Sequence, residues 1–139
     1  AGGQKGMWFS HIRRDDRRLI LTESAIDALS HAALFPDAED QTRYASLGGK
    51  PSSRQMGLIE ATLARLAEGA EIVAAFDADP AGRRLAEEIR ELVAKTAHRT
   101  ERSDLIFKSH LPTQEGEDWN TVLQAASVGS RMGCQTAGR

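Results

Sequence analysis

Three stretches of this 139-residue chain place carboxylates where apolar runs end. Glu23 follows Leu19-Ile20-Leu21-Thr22, and Asp77 and Asp79 follow Ile72-Val73-Ala74-Ala75-Phe76. Glu115, Glu117 and Asp118 lie in LPTQEGEDWN, after Leu105-Ile106-Phe107. If the runs are neighbouring parallel strands, their acids meet in the crevice beyond the carboxyl ends of the sheet. Two carboxylates ~5 Å apart repel by roughly 3 kcal/mol at an effective dielectric near 20. A converging group must therefore raise its pKa values, splay apart or bind a cation. Oxygen donors without histidine or cysteine favour Mg²⁺ or Mn²⁺ over zinc, and such an ion with open positions suits phosphoryl transfer. Each acid alone also has a structural reading. Asp79 before Pro80 fits an N-cap, Glu23 suits a helix N-terminus, and Asp118 suits a solvated loop. One metal site explains the three placements together more economically.

The elements that must position these acids follow from hydrophobic period. Leu19–Thr22 and Ile72–Phe76 are continuous apolar runs of the kind buried on both faces of a sheet. Tyr44–Leu47, closed by Gly48-Gly49, and Leu105–Phe107 supply two more strands. Helical spacing places Ile26, Leu29 and Ala33 on the buried face of a helix that starts near Ser24. A second helix, capped by Ser52 or Ser53, buries Met56, Ile59, Leu63 and Leu66 and stops by Gly69. A third opens at Pro80 and buries Leu85, Ile89, Leu92 and Val93, and a short fourth spans about Thr121–Ala126. Strands alternating with helices imply right-handed crossovers. The expected fold is α/β and Rossmann-like: a parallel four-stranded sheet with helices on both faces. Residues 1–17 read as a lead-in from a preceding region, 18–126 as the domain, and 127–139 as a disordered tail.

Composition sets bounds on the function. The formal net charge is −2, so nucleic acid can be held only by a local patch. The lone cysteine, Cys134, excludes an internal disulfide framework and a cysteine-rich zinc site. His11, His31, His98 and His110 lack metal-ligand spacing. No run is long enough to cross a bilayer and no secretory signal is visible, so the expectation is a cytoplasmic chain with no membrane partner.

The acidic segments resemble those of the Toprim family, shared by bacterial primases, type IA and II topoisomerases and several nucleases. Its first motif, a strand ending in Glu with an Asp in the next helix, is matched by LILTESAIDAL through Glu23 and Asp27, with Ser24 where Gly is usual. Its second, a strand ending in Asp-x-Asp with a Gly soon after, is matched by IVAAFDADPAGRRLA through Asp77, Asp79 and Gly82. YASLGG resembles the strand and glycine turn between them. LPTQEGEDWNTVL is most similar to the primase branch, in which Asp118 matches an Asp and Asn120 replaces a final acid. The resemblance implies Glu23 as general acid or base and metal ligand, and Asp77 and Asp79 as Mg²⁺ ligands. It implies Asp118 as a further metal or phosphate ligand. The implied activity is primase-type nucleotidyl transfer within a plasmid or phage replication or mobilisation protein, with single-stranded template, nucleotides and neighbouring domains as partners. A metal-dependent nuclease or topoisomerase-type cleavage domain, and a non-catalytic metal and nucleic-acid binding module, are the alternatives.

Cations near the acids are candidates for phosphate. Lys50 in LGGKPSS fails the P-loop pattern, because Tyr44 stands at the first Gly and Pro51 follows the Lys. A glycine turn entering a helix still suits phosphate, and Arg83 and Arg84 open the helix after the acid pair. The mixed-sign run HIRRDDRR reads as a solvated lead-in. Trp119 reads as a packing anchor for its loop, and Tyr44, inside a strand, leaves no tyrosine nucleophile for covalent DNA cleavage.

Overall fold

Apolar runs between glycine turns become the central strands of a sheet. The computed structural model describes residues 7–13, 15–36 and 41–137. In chain order the elements are β1 (Trp8–Phe9), β2 (Arg18–Thr22), α1 (Ala25–Leu34), β3 (Thr42–Ser46), α2 (Ser53–Arg65), β4 (Glu71–Ala74), α3 (Pro80–Thr100), β5 (Ile106–Ser109) and α4 (Trp119–Ala137). The sheet order is β1-β3-β2-β4-β5, with β3, β2, β4 and β5 parallel. These are the four strands expected from the sequence.

Alternation along the strands divides the core in two. Leu19, Leu21, Ala45, Ile72 and Ala74 face α2 and α3 and meet Ile59, Leu63, Leu85 and Ile89. Ile20, Tyr44, Val73 and Ala75 face the other way, against Ala28 of α1 and Trp119 of α4. Ile72, Leu63 and Ile89 are fully buried, each a gain of about 1.5–3 kcal/mol over exposure. Gln55 is also buried. It completes a capping box with Ser52 and donates from Nε2 to the Leu47 carbonyl at 2.7 Å, which fixes α2 against the end of β3.

The structure corrects the sequence reading in four places. A fifth strand, β1, lies in the segment read as a lead-in and pairs antiparallel with β3, Trp8 opposite Ser46. Asp16 of the HIRRDDRR run is buried and not solvated. It accepts from Arg43 Nε at 3.0 Å, from the Arg13 amide at 3.2 Å and pairs with His11 Nε2 at 3.2 Å. Full pairing makes burial of that charge tolerable. On α1, Ile26 and Leu29 point outward, 60% and 62% exposed, while Asp27, Ser30 and His31 face inward. Each inward polar group has a partner, so burying that face leaves no unmet bond. Finally, α4 runs through Ala137, past the expected stop at Ala126 and through most of the segment expected to be disordered.

Candidate metal centre

The crevice beyond β2 and β4 is built first from main-chain contacts. The Glu23 carbonyl accepts from the amides of Gly48 (2.7 Å) and Gly49 (3.2 Å). Both glycines have positive φ, 67° and 110°, which an L side chain resists. The turn after β3 thereby fixes the residue after β2. Ser24 then caps α1, accepting from the Asp27 amide.

Across the crevice, the Asp77 main-chain amide donates to Glu23 Oε2 at 3.0 Å, which ties the Glu23 carboxylate to the end of the neighbouring strand. Asp77 is pushed up to about 8, by burial first and then by the hydrogen bond and negative charge of Glu23. Asp79 caps α3: its Oδ1 accepts from the Gly82 amide at 2.7 Å, and Pro80 opens the helix. Gly82 is required here by space. A Cβ built on it would lie 2.0 Å from the Asp77 carbonyl oxygen.

The EGED loop closes the third side. The Ala78 amide donates to Glu117 O at 2.9 Å, and the Gly116 amide, with φ of 88°, returns a bond to Ala78 O at 2.7 Å. Arg83 forks onto both Glu115 oxygens at 2.8 and 3.0 Å, tying the loop to the first turn of α3. Asp118 Oδ1 accepts from the Thr121 amide and hydroxyl, both at 2.8 Å, at the start of α4. Asp27 joins the two helix starts. It accepts from Ser24 Oγ at 2.9 Å and from the Asn120 amide at 3.2 Å, and burial, then the charges of Asp118 and Glu23, raise its pKa.

The expected residues therefore divide by what they already hold. Glu23 and Asp77 meet directly. Asp79 and Asp118 border the same crevice, but each gives one oxygen to a helix start. Among the described residues, no three His, Cys, Asp or Glu side chains stand together as a preformed cage. The donor set nevertheless fits a hard divalent ion: all-oxygen, anionic, and with one carboxyl held at high pKa by burial and by its neighbour. Lys50 and Arg84 flank a pocket of about 230 Å³ that Glu23 also lines. Arg83 turns away to Glu115. Asn120 turns its Oδ1 towards Ser30 Oγ at 3.4 Å.

The pairing of a Glu-ended strand with an Asp-x-Asp strand end, closed by glycine turns, decides the family. A Toprim-like family model matches residues 20–123. This chain belongs to the Toprim-like family. Toprim domains occur in primases, nucleases and topoisomerases, enzymes that act on nucleic acids, and bind Mg²⁺ through acidic residues. No curated protein and no solved structure matches the chain. Among the described residues of this Toprim domain, no helix is long and apolar enough to cross a membrane.

Several site contacts lay beyond sequence reasoning. Nothing in the spacing marks Arg83 as the partner of Glu115 or Asp27 as the partner of the Asn120 amide. The Asp118–Thr121 cap did have a signal, an Asp just before a helical pattern.

Proposed function

We propose that this Toprim domain is the core of a Mg²⁺-dependent nucleotidyl or phosphoryl transfer reaction on DNA or RNA, of the kind found in plasmid or phage primases and mobilisation proteins. The observation that carries the reading is the meeting of Glu23 and Asp77 from two strand ends, with the Asp77 amide on Glu23 Oε2 at 3.0 Å. Glu23, Asp77, Asp79 and Asp118 would hold the ion. When bound, Mg²⁺ neutralises phosphate charge and leaves open positions for the reacting oxygens.

The chain's own residues do the rest. Glu23 moves a proton at the attacking or leaving oxygen, and its carboxylate is oriented for that by the Asp77 amide. Burial, then the hydrogen bond and charge of Glu23, make Asp77 retain a proton, which it would have to release to serve as an ion ligand. Lys50 and Arg84 line the pocket beside Glu23 and receive a phosphate of the substrate, which can be nucleotide or single-stranded template. Arg83 holds the EGED loop through Glu115 and so sets where Asp118 stands.

A second reading, a non-catalytic metal and nucleic-acid binding module, is favoured by Asn120 standing where the primase-like pattern has an acid and by its turn toward Ser30. Amide NMR with Mg²⁺ and Mn²⁺, on wild type and on Asp77→Ala/Asp79→Ala, tests the metal site. Saturable shifts at Glu23, Asp77, Asp79 and Asp118, lost in the double variant, support it. Their absence at millimolar metal counts against it. Labelled single-stranded DNA with nucleotides and Mn²⁺ then separates the activities: longer products mean synthesis, shorter ones a nuclease, and binding alone the second reading.

A further inference from the structure

The outward stripe of α1 is part of a larger surface. Ile26 and Leu29 stand exposed, and across from Leu29 the Trp8 indole of β1 is 37% exposed. Trp8, Leu29 and Ala32 share the walls of a groove of about 390 Å³ with Ser10, His11 and Arg13. No Asp or Glu lines it. Arg13 is exposed, and its guanidinium makes no ion pair among the described residues. His11 is tied to Asp16, whose charge Arg43 balances. The groove thus combines aromatic and apolar walls with polar groups and the cation of Arg13.

Its position is fixed by strand register. Trp8 pairs with Ser46, and Ser46 with Thr22, the residue before Glu23. Two strand spacings place Trp8 about 10 Å from the end of β2. Leu29, on the helix that begins just after Glu23, lines the same groove as Trp8.

We propose that this groove is a track for single-stranded nucleic acid leading to the acidic edge. Trp8 stacks on a base, Arg13 meets a backbone phosphate, and Leu29 and Ala32 cover the apolar faces of the strand. The inference rests on the reading that the acidic edge acts on nucleic acid. It also supplies the local patch that a chain of net charge −2 needs for such a partner. An acidic polypeptide segment is the competing occupant, and a flat exposed indole beside a phosphate-seeking cation favours the nucleic acid.

The chain has two tryptophans, one exposed and one buried. Labelling with 5-fluorotryptophan gives each its own ¹⁹F resonance, assigned with Trp8→Phe. An oligo(dT) titration at low salt in EDTA is expected to shift the Trp8 resonance saturably. Trp8→Ala should weaken binding by about fivefold or more. Arg13→Gln should weaken it and flatten its salt dependence. If Trp8→Ala does not fold, Arg13→Gln alone decides. A still Trp8 resonance, an unchanged affinity in Arg13→Gln, or an Asp/Glu-rich peptide displacing oligo(dT) overturns the track. Because EDTA removes metal, oligo(dT) binding without Mg²⁺-induced shifts sinks only the metal reading, and Mg²⁺ shifts without oligo(dT) binding sink only the track.

Discussion

The Cβ position of Gly82 lies 2.0 Å from the carbonyl oxygen of Asp77, so the first turn of α3 rests directly on the backbone that carries a candidate ligand. No L side chain fits there without moving one or the other. Gly82→Ala should therefore separate α3 from the strand end at a cost of about 1–3 kcal/mol. Urea melts check the cost, and Mg²⁺-induced amide shifts at Asp77 should weaken in the same variant. A variant as stable and responsive as wild type would show that the contact is not what fixes Asp77.

Asp77 gives a pH signature without metal. Its folded pKa of about 8 lies above its ordinary value, so the folded state retains a proton that the unfolded chain releases. That stabilisation is complete below about pH 4 and is lost as pH rises towards about 8. The change should be on the order of 1–2 kcal/mol once solvent screening of a half-exposed group is counted. Asp77→Asn should flatten this slope and melt higher than wild type at pH 9 in EDTA. Adding Mg²⁺ should help only the wild type.

Asp118 allows its two roles to be separated. Asn caps helices about as well as Asp, so Asp118→Asn should keep stability within a few tenths of a kcal/mol, whereas Asp118→Ala should lose about 1 kcal/mol. Both should weaken Mg²⁺ binding if the carboxylate is a ligand. Equal metal affinity in wild type and Asp118→Asn would leave Asp118 a cap alone.

Removing Arg83 should loosen a loop without unfolding the protein. The Arg83–Glu115 fork is exposed, and exposed pairs add little to global stability. Arg83→Ala should leave the melting curve in place but speed hydrogen exchange at the Gly116 and Ala78 amides, which hold the EGED loop to the Asp-x-Asp turn. Unchanged exchange would show that the two main-chain bonds suffice.

Acid should act through His31. It is buried between Tyr44 Oη at 2.7 Å and His110 Nδ1 at 2.9 Å, and burial, then the charges of His110 and Arg18, push it down to about 4. The unfolded chain takes up that proton near pH 6.5, so stability should fall as pH drops from about 6.5 towards 4. Melts of wild type and His31→Phe across this range check the slope, which should be shallower in the variant.

What was legible in the sequence was what depends on neighbours along the chain. Leu19–Thr22 and Ile72–Phe76 read as buried strands because their apolar runs are unbroken, and the placement of Glu23 and Asp77 at one edge followed from them. β1 did not read as a strand, because two aromatic residues in a charged segment carry no period. The inward face of α1 was misjudged for a different reason. Asp27, Ser30 and His31 are affordable in the interior only through partners at Asn120, Tyr44 and His110, from 13 to 93 positions away. The role of Arg83 likewise depends on Glu115, 32 residues on.

The main-chain grips around the crevice have a consequence for how such a domain can drift. Gly48, Gly49, Ala78, Gly116 and Glu117 fix the site through amides and carbonyls, which every residue except proline supplies alike. Ala78 and Glu117 can change identity without altering those bonds, while the glycines are held by their dihedral angles. Descendants of this chain could become hard to align over most of their length and still keep their acids in register. Their kinship would then survive as a rhythm of carboxylates and glycines at strand ends.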